Sequence, residues 1–138
     1  MKSIFRVVFF LLWSSWGLCA QTIDTDSYFQ TAFNWMQLEE YEKSLQAYEH
    51  AFSLEDSRNI YAANCYNAAC AAALSNDKET AFFYLRKALK RGYLDVENLR
   101  SDQDLSSLHQ DPRWGQYVDE MEAKLERYAE VKCDMKDG

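Results

Sequence analysis

An all-α fold, a short solenoid of antiparallel helical hairpins closed by a C-terminal capping helix, is predicted by three observations. The first is a shortage of turn formers: past residue 20 there is one proline, Pro112, and before the final residue only two glycines, Gly92 and Gly115. Sheets need more hairpin chemistry than that. The second is helical periodicity. Tyr41, Leu45, Tyr48 and Phe52 recur at steps of four, three and four, as do Trp114, Val118, Met121 and Leu125, a stripe that runs on to Tyr128. Each series gives a helix one face to bury. The third is repetition: EEYEKSLQAYEHAF, residues 39–52, lies over NDKETAFFYLRKAL, residues 76–89, at an offset of 37. Ser44 then falls on Ala81, Leu45 on Phe82, Tyr48 on Leu85 and Ala51 on Ala88.

The elements follow in chain order. Lys2 and Arg6 precede the apolar run VVFFLLWSSWGLCA, and the polar QTIDTDS comes after Ala20. That is the pattern of a secretory signal peptide over 1–20, cleaved after Ala20. Trp13 and Trp16 at a membrane interface would make it a retained anchor instead, and Cys19 would be the site of a lipoprotein attachment. A short tail, 21–24, leads to helices expected at 25–38, 41–54, 58–74, 77–90, 102–108 and 112–130. Asn76 with Glu79 has the spacing of a capping box, and Lys90-Arg91-Gly92 that of a cationic last turn ended by glycine. Ser101 with Asp104 opens the short helix, while Asp111-Pro112 sets a cap before the proline-preferred first helical position. Ala68, Ala69, Ala71, Ala72 and Ala73 leave the 58–74 helix few bulky groups, so its neighbours can approach closely.

Tyr66, Ala68, Ala69, Ala72, Ala81, Leu85 and Ala88, and less closely Tyr28, Thr31, Ala32, Trp35, Tyr41, Ser44, Tyr48 and Ala51, stand where a small-and-aromatic helix-pair pattern would put them. On these residues the chain resembles the tetratricopeptide repeat family, whose unit is a 34-residue helix pair. The resemblance implies one unit at 25–58, a junction at 59–61, a second unit at 62–95, a capping region at 96–130 and a polar tail at 131–138. The stretch GYLDVENLRSDQDLSSLHQDPRWGQYV, 92–118, is similar to the ending that follows such repeats, where a last helix covers the exposed apolar edge. Thr31 and Ser44 depart from the family pattern, and Asp56 and Tyr93 stand where the junction proline would be. Members of the family bind peptides or proteins on the concave face lined by first helices. Carried over residue by residue, this implies a partner-binding surface of Phe29, Phe33, Met36, Gln37, Tyr66, Cys70 and Leu74.

The formal net charge is −7, and loss of residues 1–20 with Lys2 and Arg6 takes it to about −9. Nucleic acid is a disfavoured partner for that sign. Cys65, Cys70 and Cys133 remain after cleavage. The first two, five apart on one helix, place their Cα atoms about 8 to 9 Å apart, beyond disulfide reach. Cys133 is left as a free thiol or a link between chains. His50 and His109 belong to no metal-spaced motif, and Cys70 has no local activating base. The expectation is a scaffold exported to the periplasm or secreted, with no enzymatic activity, no cofactor and no metal, that binds an unidentified protein or peptide. Homo-oligomerisation through the same surface, or peripheral membrane association, is the alternative.

Overall fold

The computed structural model describes residues 25–54 and 60–134, the last two without their side chains. The leader expected over 1–20, the tail 21–24, residues 55–59, the Cys133 thiol and residues 135–138 lie outside the described residues. Among those described, six α-helices and one 3-10 segment follow one another: α1 (Thr25–Gln37), α2 (Tyr41–Leu54), α3 (Ala62–Leu74), α4 (Lys78–Lys90), α5 (Val96–Ser101), the 3-10 segment Gln103–Leu108 and α6 (Pro112–Asp134). The chain is all-α, and its helices pack sequentially as hairpins in the manner of a generic helical repeat. None of them is long and apolar enough to cross a membrane. Four features differ from expectation: α3 begins at Ala62, with residues 60 and 61 outside it, and α6 runs on to Asp134 instead of ending at 130. Residues 102–108 wind as 3-10 rather than α, and α5 precedes them as a separate turn and a half.

The repetition read from the sequence is reproduced in the backbone hydrogen bonds. At the end of α1, Glu39 takes a left-handed conformation (φ 58°), and 37 residues on Asn76 does the same after α3 (φ 64°). The Glu40 amide reaches back to the Trp35 carbonyl at 3.0 Å, and the Asp77 amide to that of Ala72 at 2.8 Å. Gly92 (φ 96°) ends α4 likewise, with Tyr93 N–H donating to the Ala88 carbonyl at 3.0 Å. These are Schellman-type closures, which satisfy the orphan carbonyls of each helix end and turn the chain back on itself. Asn76 therefore ends a helix rather than starting one. The cap of α4 is Asp77, whose carboxylate accepts from the Thr80 amide.

Packing centres on α3, which touches α1, α2, α4 and the 3-10 segment. Cys65, Tyr66 and Ala68 to Ala73 are all buried. Aromatic rings fill the space around it: Phe29 lies 5.4 Å from Phe52, and Phe52 lies 5.3 Å from Tyr84, ring centre to ring centre. Ser44, fully buried where the second hairpin has Ala81, donates its hydroxyl to the Ala32 carbonyl at 2.8 Å. That bond removes the penalty of burying a polar group in the tight α1–α2 contact.

Helix α6 is pinned along α4. Tyr117 donates to the Leu85 carbonyl at 2.9 Å, and Lys124 Nζ donates to the Leu89 carbonyl. The Arg113 guanidinium lies over the Phe82 ring, 4.3 Å from its centre, while pairing with Asp111 and Glu79. Tyr117, Val118 and Met121 are buried, Trp114 only partly, and Leu125 is 41% exposed. The apolar stripe thus continues past the point where the body supports it. Met121→Ala is expected to cost about 2 to 5 kcal/mol in urea unfolding, the range for emptying a buried Met or Leu site. Leu125→Ala should cost well under about 1 kcal/mol. Equal losses at the two positions would mean that the outer half of α6 is covered in solution.

Candidate functional site

Two features built around α3 carry chemistry. The first is a polar cluster between α3 and the 3-10 segment. Tyr66 and Cys70 sit one turn apart on α3, and Asp102, the cap of the 3-10 segment, accepts from the Asp104 amide through Oδ1 at 3.0 Å. Its Oδ2 accepts from the Tyr66 hydroxyl at 2.6 Å and from the Cys70 thiol at 3.8 Å. Asn98 on α5 donates to both the Tyr66 and Tyr93 hydroxyls, at 3.2 and 2.8 Å, and those two rings stack with centres 4.2 Å apart. Leu99, Leu105 and Leu108, all fully buried, hold α5 and the 3-10 segment in place.

This geometry corrects two expectations, that the chain offers no metal-binding constellation and that it is simply non-enzymatic. Cys70 Sγ and one carboxylate oxygen from each of Asp102 and Asp104 lie within 4.8 Å of one another, a thiol and two carboxylates whose atoms could hold a metal ion. Local spacing could not reveal the set, because the acids come from more than 30 residues downstream and arrive only when the 3-10 segment docks on α3. Burial, then the two carboxylates, push the Cys70 thiol well above the ordinary thiol range. Burial, then its bond to Asp102, push the Tyr66 phenol above its own. Desolvation, then Asp102, raises the Asp104 carboxyl. At neutral pH Cys70 is therefore a protonated donor, and a metal would have to displace that proton to bind.

The second feature is an open groove of about 340 Å³ between α1 and α3, lined by Asp26, Phe29, Gln30, Phe33, Tyr48, Tyr61, Asn64 and Asn67. Phe33 and Tyr61 are exposed, 44% and 68%, while Phe29 and Tyr48 form the buried floor. Burial pushes the Tyr48 phenol up to about 12 against the opposing effect of its bond with Asn67.

The seven residues expected to bind a partner divide between these places. Phe29 and Phe33 meet in the groove. Tyr66 and Cys70 are buried in the polar cluster beneath the 3-10 segment. Leu74 lines a separate depression with Glu39, Glu40 and Asn76. Met36 is half-buried against the core, and Gln37 is exposed at the end of α1. The sequence reading missed Tyr61, Asn64 and Asn67, although their three-residue spacing puts them on one side of α3.

No protein-family model matches the chain, and no solved structure does. Among curated proteins, a chloroplastic protein of Arabidopsis thaliana is 32% identical over 68 residues, which are 49% of this chain and 20% of that protein. The chain thus spans a fifth of the relative's length.

The Tyr66 hydroxyl bridges two helical elements, so Tyr66→Phe keeps the ring stack and leaves Asp102 and Asn98 each short of a partner. A loss of about 1 to 3 kcal/mol in urea unfolding is expected. Wild-type stability in that variant would show the cluster to be solvated and the 3-10 segment to be held by its leucines alone.

Proposed function

We propose that this chain is an exported tetratricopeptide-like module that binds a protein or peptide segment in the α1–α3 groove. The observation that carries the reading is the pairing of two exposed aromatic rings, Phe33 and Tyr61, above a buried aromatic floor. Aromatic groups that lose water on contact are the usual anchors of an interface. The Asn64 and Asn67 amides beside them each offer donors and an acceptor suited to an extended main chain. The two hairpins with their shared closures correspond to two repeat units, and α6 corresponds to the cap.

A photo-reactive phenylalanine analogue at position 33 should crosslink a discrete partner in the native source, and the same analogue at Lys90 should not. Phe33→Ala and Tyr61→Ala, both at exposed sites, are expected to weaken binding of the captured partner by a kcal/mol or more each while leaving the melting temperature unchanged. Unaltered affinity in both variants would sink the groove reading.

Export is supported by Lys2 and Arg6 ahead of VVFFLLW and by the polar change after Ala20. Mass spectrometry of the native protein is expected to find Gln21 as the first residue, in part cyclised. Cytosolic protein that retains the whole 1–20 segment would refute export, and a lipidated Cys19 would establish an anchored form.

A further inference from the structure

We infer that the segment bound in the groove is basic, with a lysine or arginine set beside an aromatic or aliphatic anchor, the anchor entering between Phe33 and Tyr61 and the cation reaching the Asp102–Asp104 pair. The inference rests on the groove reading above and names the chemistry of its occupant. Three observations support it. The groove's lining contains one charged residue, Asp26, and no cation. Asn67 on the groove wall and Cys70 against Asp102 are three residues apart on α3, which makes them neighbours on that helix's surface. The buried residue that contacts Asp102 thus lies less than one turn along α3 from the groove wall. Neither Asp102 nor Asp104 forms an ion pair with a lysine, arginine or histidine among the described residues, and both are partly exposed.

Two carboxylates side by side in a partly desolvated site repel each other, and a cation placed against them relieves that repulsion. A guanidinium or ammonium group does so with charge-assisted hydrogen bonds. Asp102 already accepts from Tyr66 and Cys70, so Asp104 is the freer contact: its carboxylate makes no hydrogen bond or ion pair among the described residues. The formal net charge of −7 acts in the same direction, drawing basic segments to the surface and repelling acidic ones.

Selection of a random peptide library on the immobilised protein tests this. Lysine and arginine are expected to be enriched over aspartate and glutamate by about tenfold, in the same peptides that carry an aromatic or large aliphatic residue. Against Asp104→Asn the charge bias should fall several-fold while the apolar preference persists, and against Phe33→Ala the reverse should hold. Circular dichroism of both variants controls for folding. An apolar preference without charge bias overturns this inference and leaves the groove reading standing, whereas no enrichment of either kind overturns both. Absence of charge bias together with zinc(II) binding in calorimetry that Cys70→Ser abolishes would assign the acids to a metal ion, and would likewise overturn it.

Discussion

The rest of the structure depends on one packing constraint: α3 is enclosed by α1, α2, α4 and the 3-10 segment. A helix enclosed on several sides cannot carry large side chains all round unless its neighbours stand further off, and the usual separation of 8 to 10 Å shrinks only as side chains do. The run from Ala68 to Ala73, broken only by Cys70, meets that demand with groups that lose almost no rotamer entropy on burial. Because α3 brings little bulk, the volume is supplied from outside by Phe29, Tyr48, Phe52, Phe82, Tyr84 and Leu85, projecting from α1, α2 and α4. Alanine also has the highest helix propensity, so the helix buried on most sides is also the one best able to form before its partners arrive.

The exceptions on α3 follow from the same constraint. Tyr66 and Cys70 lie on the side covered by α5 and a 3-10 segment instead of a full-length helix. The thinner cover leaves room for a phenol and a thiol, but it brings polar backbone close and demands partners for both groups. Asp102 is such a partner, since it caps the 3-10 segment with one oxygen and accepts from Tyr66 and Cys70 with the other. One carboxylate thereby starts the 3-10 segment and creates the acidic cluster. Asp104 follows because the 3-10 turn that carries Leu105 and Leu108 into the core brings residue 104 back toward α3.

Most of the hairpin architecture was legible from local pattern, and the physical reason lies in the turns. A Schellman closure needs one residue willing to take positive φ and a helix able to begin immediately after it. Asn76 and Gly92 announce such positions by residue type. Glu39 does not, and only the backbone shows it to be the counterpart of Asn76, 37 residues on. The error over the α4 cap came from the same turn, where Asn76 and Asp77 are adjacent and both are good capping residues; only the backbone conformation separates their roles. What local pattern could not supply was the docking of 96–108. Val96, Leu99, Leu105 and Leu108 mark those residues as apolar on one side, but nothing in their spacing says that the side faces Tyr66 and Cys70. The Cys70–Asp102–Asp104 set was therefore invisible, and Phe29 and Tyr66 could not be sorted into groove floor and polar cluster before the partners of each were known.

The exposure of Phe33 and Tyr61 belongs to this same design. Phe33, on the groove side of α1, would be covered by an element lying across both α1 and α3. The 3-10 segment reaches α3 at Tyr66, Cys70 and Ala73, where Ser107 donates to the Ala73 carbonyl. The groove on the α1 side of α3 is lined by α1, α2 and α3 residues and by Tyr61 just ahead of α3. Among the described residues no further element crosses it, and the short turns of 96–108 dock against α3 at the other side. The α1–α3 face is therefore left open among the described residues. The core thus ends beneath the 3-10 segment at one side of α3 and leaves an aromatic surface at the other, with the acidic pair set beside Cys70.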